Sequence, residues 1–203
     1  MIRIFQERFD RSLSLVVLAL SLYGVLVLYS AGQTDVPSAA AHVWERQLIW
    51  LALSILAAVL VQRVSPRLLE WAAPALYALG IAVLFVTLVV GTGAGTAASS
   101  KSWIAIGGHR IGQPSEFVKL AVVVMLARYL AGRREPPASL RELLVPVLIA
   151  ALPAGLVAMQ PDLGSAIVFA GILFAMLYWG GVGMPYLVLL ASPVVSLLLA
   201  FSP

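Results

Sequence analysis

Apolar residues run along this chain in seven long blocks, broken by short stretches rich in Gly, Pro and charge. The blocks cover 12–31, 46–62, 71–92, 114–131, 142–160, 162–180 and 185–202. Each approaches the roughly 20 mainly apolar residues that carry a helix across a bilayer. The connectors are Gly32 to Ala41, Arg63 to Glu70, Gly93 to Gln113, Gly132 to Arg141 and Gly180 to Met184, each carrying helix-breaking or polar residues. The predicted fold is all-α: a polytopic transmembrane helical bundle, with residues 1–203 forming one transmembrane domain.

Composition supports this. Hydrophobic residues make up 62% of the chain and charged residues 11%, with a mean hydropathy of +1.01. Soluble domains carry roughly 25% charged residues, so there is too little polar surface for a soluble fold. The net charge of +4 does not point to nucleic acid, because the basic residues are scattered through the connectors. With no cysteine, disulfides and thiolate metal sites are excluded. The first block is too long for the apolar core of a signal peptide, and Tyr29-Ser30-Ala31 fits a cleavage site poorly. Helix 1 reads as a retained anchor.

The basic residues also orient the helices. With the N-terminus in the cytoplasm, Arg3, Arg8, Arg11, Arg63, Arg67, Arg128, Arg133, Arg134 and Arg141 lie inside, while Arg46, Lys101 and Arg110 lie outside. Nine against three favours that orientation under the positive-inside rule. The chain then stops at Pro203 just as helix 7 reaches the outer face, as if cut at a loop.

Three segments carry candidate chemistry, all on the predicted outer side. The connector before helix 4 begins Gly91-Thr92-Gly93-Ala94-Gly95-Thr96 and continues through the amphipathic Lys101-Ser102-Trp103-Ile104-Ala105-Ile106-Gly107. It reads as an interfacial re-entrant segment, with Trp103 either a belt aromatic or the lining of a substrate groove. Gln113-Pro114-Ser115-Glu116-Phe117-Val118-Lys119 follows. Pro114 suits the first position of helix 4, and Glu116 in the first turn suits the helix dipole. Glu116 and Lys119 share a helix face. Lys119 lies one turn into an apolar run, where a charge is costly. Either it snorkels outward to pair with Glu116, or the two line a water-accessible cavity.

The third segment is Gln160-Pro161-Asp162-Leu163-Gly164-Ser165 between helices 5 and 6. Asp162 reads as the N-cap of helix 6 or as a site carboxylate. Both Gln-Pro segments open a helix running from outside to inside, so each aims a partly positive N-terminus at the outer half of the membrane. If helices 4 and 6 are neighbours, these ends, with Lys119 and Arg110, suit a lipid-linked pyrophosphate. Glu116 and Asp162 would suit a sugar hydroxyl or a divalent cation, Mg or Mn. His42 and His109 are too far apart in sequence to suggest a metal site. The Gly-rich run lacks the GK[ST] of a phosphate loop.

Lys101-Ser102-Trp103-Ile104 through Gly107, the Gln113-Pro114-Ser115-Glu116-x-x-Lys119 motif, Gln160-Pro161-Asp162-Leu163-Gly164-Ser165-Ala166, and Tyr29-Ser30-Ala31 together resemble the SEDS family (shape, elongation, division and sporulation). The rod-elongation branch is the nearer type and the division branch its sibling. The resemblance implies a peptidoglycan glycosyltransferase of the bacterial inner membrane, polymerising lipid II beside a class B penicillin-binding protein. A lipid II flippase is the alternative. About ten helices are expected, of which seven are here. An essential aspartate in the external loop after helix 7 would lie beyond Pro203, so this stretch by itself is expected to be inactive. Carried onto this chain, Glu116, Lys119 and Asp162 are the expected catalytic residues. Trp103, Arg110, Gln113, Ser115 and Gln160 are the expected substrate-binding ones. Gly112 departs from the bulky apolar residue expected before the Gln-Pro.

Overall fold

The structure, a computed structural model, describes residues 10–33, 42–93, 101–106 and 109–200. Seven helices account for most of them: α1 (Arg11–Gly32), α2 (Val43–Gln62), α3 (Pro66–Val90), α4 (Pro114–Ala131), α5 (Leu140–Ala158), α6 (Leu163–Trp179) and α7 (Met184–Ala200). Two short strands precede α4, β1 (Ile104–Ile106) and β2 (His109–Gly112). Every expected apolar block is a helix, within a few residues at each end. Arg3, Arg8 and Ala94 to Thr96 lie outside the described residues.

By length and apolarity, α1, α2, α3 and α5 are each able to cross a membrane. The 18 residues of α4 include Glu116, Lys119 and Arg128, which lower its apolarity. The 17 residues each of α6 and α7 sit at the short end of the spanning range. The chain is a multi-pass helical membrane protein.

The helices fall into two compact units, Met1–Ser65 and Pro66–Pro203. In the first, Asp10 caps α1 by accepting a hydrogen bond from Leu13 N. Tyr29 of α1 meets Trp44 of α2 edge-on at 5.5 Å between ring centroids. α2 buries none of its residues.

The second unit is built around α4. Val118, Val122 and Leu126 of α4 join Leu84 of α3, Ile149, Ala150 and Val157 of α5, and Phe169 of α6 in one buried cluster. Gly80 lets α3 come close: a Cβ there would sit 3.1 Å from a Val118 methyl. A second cluster, Leu143, Leu177, Val182 and Leu187, joins α5, α6 and α7. The start of α5 is a capping arrangement. Ser139 Oγ accepts from Glu142 N, and the Glu142 carboxylate accepts from Ala138 N at 2.9 Å and pairs with Arg133 at 3.2 Å.

The connector before α4 is not simply an amphipathic re-entrant segment. Thr92 and Trp103 pair through both backbone amides, at 2.8 and 3.1 Å, and β1 and β2 form an antiparallel hairpin with Ala105 opposite Arg110. Gly91 makes the closure possible, because a Cβ there would overlap the carbonyls of Lys101 and Thr87. Only glycine permits that approach of backbone to backbone.

Candidate functional site

The two Gln-Pro segments meet. Gln113, the N-cap residue of α4, makes no side-chain cap for its own helix. Its amide Nε2 instead donates to Asp162 Oδ2 at 2.6 Å and to Ser165 Oγ at 3.3 Å. Asp162 Oδ1 accepts from Ser165 N at 3.0 Å, capping α6. One carboxylate thus closes α6 and fastens it to α4, so helices 4 and 6 are neighbours at this end. The negative charge sits at a helix N-terminus, where the dipole favours it.

Gln160 is as deeply placed as any of the expected polar residues, 1% exposed. Its Nε2 donates to the Leu84 carbonyl of α3 at 3.0 Å, and its own carbonyl accepts from Lys101 N. It therefore joins the α5–α6 turn to the last turns of α3 and to the segment that carries Trp103. A glutamine buried this deeply requires such partners.

Glu116 and Lys119 form the expected pair across one turn of α4, with Nζ 2.8 and 2.7 Å from the two carboxylate oxygens. The lysine side chain is 18% exposed and the glutamate 55%. Ser115, in the same first turn, is 1% exposed, and its Oγ has no hydrogen-bond partner. Trp103 is half-buried and held by its backbone. Arg110 lies in β2, with its side chain outside the described residues. Among the described residues no direct hydrogen bond or ion pair joins the Glu116–Lys119 pair to Asp162.

Ser165, Thr92 and the Leu84 carbonyl are site members to which the sequence reading assigns no role. Ser165 was findable, since an Asp N-cap places the residue three on within reach of its carboxylate. Among the described residues no three His, Asp or Glu side chains converge to hold a metal ion. A cleft of about 440 Å³ lies elsewhere, between α5, α6 and α7. Its lining, from Val147 to Ala191, is entirely apolar, so it offers nothing to a charged ligand.

A family model for the cell cycle proteins FtsW, RodA and SpoVE matches residues 10–202. The chain belongs to the FtsW/RodA/SpoVE family. This is the SEDS family that its motifs resemble. Among its relatives, the probable peptidoglycan glycosyltransferase FtsW of Mycobacterium tuberculosis is 33% identical, over 87% of this chain and 34% of that protein. The peptidoglycan glycosyltransferase MrdB of Escherichia coli K12 is also 33% identical, over 79% of this chain and 41% of that protein. The crystal structure of Thermus thermophilus RodA superposes with a TM-score of 0.76 at 29% identity, covering 94% of this chain and 60% of that one. A chain of a peptidoglycan synthase complex, solved in a study of coordinated polymerisation and crosslinking, gives 0.76 at 30% identity, covering 95% of this chain and 53% of that one. The chain thus spans between a third and a half of the length of these curated relatives.

Proposed function

We propose that this chain supplies the pyrophosphate-binding part of a glycosyltransferase that polymerises lipid II into glycan strands for cell-wall elongation. The observation that carries this reading is Lys119. It is a largely covered lysine, one turn inside an apolar helix, beside the joined N-termini of α4 and α6. Names of relatives as peptidoglycan glycosyltransferases support it.

In the proposed reaction the acceptor sugar's 4-hydroxyl attacks the anomeric carbon of the donor. The bond from that carbon to undecaprenyl pyrophosphate breaks, and the hydroxyl proton passes to a base. Charge grows on the leaving pyrophosphate, and a fixed cation beside it stabilises the transition state. Lys119 fills that role, aided by Arg110, with Glu116 holding it in place until substrate arrives. Asp162, Gln113, Ser115 and Gln160 shape the pocket, and Trp103 lines its approach. A divalent cation, Mg or Mn, would arrive with the pyrophosphate, since the oxygens of Asp162 and Glu116 are already engaged. The location is the bacterial inner membrane with the N-terminus in the cytoplasm, and the partner a class B penicillin-binding protein. The relative solved within a peptidoglycan synthase complex supports a partnered enzyme. Gathering of the candidate site groups, Glu116, Lys119 and Asp162, at one end favours a polymerase over a flippase, which needs a cavity open to both sides.

Because the chain spans 34–41% of those relatives, residues 1–203 alone are expected to bind lipid II without polymerising it. Lys119→Met should weaken that binding at least tenfold while leaving thermal stability unchanged or raised, since a costly charge is removed. Binding by Lys119→Met equal to that of the parent chain would sink the assignment and leave a lysine that merely snorkels.

A further inference from the structure

Four prolines lie inside helices past the first turn: Pro74 in α3, Pro146 and Pro153 in α5, and Pro193 in α7. A proline nitrogen has no hydrogen, so the carbonyl four residues earlier loses its usual helical donor. Where that carbonyl lies within the hydrocarbon layer, water does not replace it. The carbonyls concerned are Glu70, Glu142, Ile149 and Leu189, and each accepts a side-chain hydrogen bond. Arg128 Nη1 of α4 reaches Glu70 O at 2.9 Å. Tyr129 OH, the next residue of α4, reaches Glu142 O at 3.3 Å. Tyr77 OH of α3 reaches Ile149 O at 3.0 Å. In α7 the answer is local, with Ser192 Oγ 2.8 Å from Leu189 O.

We infer that Tyr77, Arg128 and Tyr129 are positioning residues matched to the interior prolines, fastening α3, α4 and α5 together at the breaks in their hydrogen-bond ladders. The placement is specific. Arg128 and Tyr129 point about 100° apart on the helix, and so serve two different neighbours, each at the carbonyl its proline frees. Tyr77 fixes α5 one turn before Pro153, and the segment past Pro153 leads straight to Gln160 and Asp162. The bracing therefore sets how the α5–α6 turn meets α4, whatever the site binds.

A double-mutant cycle on the purified chain tests this. Tyr77→Phe removes only the hydroxyl, and should lower the melting temperature by roughly 2–4 °C. Pro153→Ala restores an N–H to the helix, and with it a donor for Ile149 O. In that background Tyr77→Phe should cost less than half as much. A tyrosine that merely packs would cost the same in both backgrounds, and that result would overturn the inference, as would a Tyr77→Phe chain that melts with the parent. Arg128→Met with Pro74→Ala forms an independent cycle, with the same rescue expected. It decides the matter if Pro153→Ala fails to fold. Tyr129 is the poorer choice, because its hydroxyl also accepts from Arg133 at 2.8 Å.

Discussion

Asp162 shows how much one side chain can hold. Both of its oxygens are engaged, Oδ1 in capping α6 and Oδ2 in receiving the amide of Gln113. The sequence offered a capping and a site reading of this residue. The geometry gives the first directly, and makes the second depend on it, since the cap is also the joint between α4 and α6. Removing the carboxylate should cost a cap, about 0.5–2 kcal/mol, and leave Gln113 without its main acceptor. Asp162→Ala is therefore expected to destabilise the chain by about 1–3 kcal/mol. Asp162→Asn, itself a good cap, should cost under about half of that. Denaturant titration in detergent separates the two, and equal losses would show that the charge, and not the hydrogen-bonding shape, is what the joint needs. Gln160 was legible only as a member of a motif. Nothing in a single sequence says that its amide reaches a carbonyl 76 residues away.

At the scale of elements, the seven helices were plain because each block is long and mainly apolar. The hairpin of β1 and β2 was not. Its strands hold three and four residues, too few for a period of two to emerge, and the Thr92–Trp103 pairing next to it depends on Gly91, which in sequence is one glycine of a Gly-rich run. The bracing of prolines was hidden for a similar reason. A proline inside a helix marks a break in its ladder, but the donors that answer Pro146 and Pro153 lie on α3 and α4. Gly91→Ala tests that pairing. The added methyl overlaps two backbone carbonyls, so the pairing of Thr92 with Trp103 should be lost while the helices remain. Amide exchange at Thr92 and Trp103 is expected to rise by about tenfold or more, the loss of roughly 1.4 kcal/mol of local protection, with little change in the core of α4. Unaltered exchange would mean that the strand pairing does not depend on that contact.

At the scale of the molecule, the question is which side of the membrane each end faces. In the unit from Pro66 onward, α4 carries the Gln-Pro joint at its start and the Arg133–Glu142 pair beyond its end. Its 18 residues rise about 27 Å, close to the thickness of the hydrocarbon layer. Lys101 and Arg134 therefore belong to opposite faces. The charge bias favours one assignment of the faces. Arg128, Arg133, Arg134 and Arg141 gather at the far end of α4 and the start of α5, against Lys101 and Arg110 at the other, and Lys and Arg are retained on the cytoplasmic side. The proposed reaction requires the same assignment, since glycan strands are built outside and the joined helix N-termini must face their substrate there. The chain has no cysteine, so single replacements report cleanly, and both positions are exposed. In intact cells an impermeant maleimide is expected to label Lys101→Cys and to spare Arg134→Cys until the membrane is opened. Labelling of Arg134→Cys alone would turn the unit over, placing Lys119 and the Gln-Pro joint in the cytoplasm. There they would meet lipid II only before it crosses, and the polymerase reading would give way to the flippase.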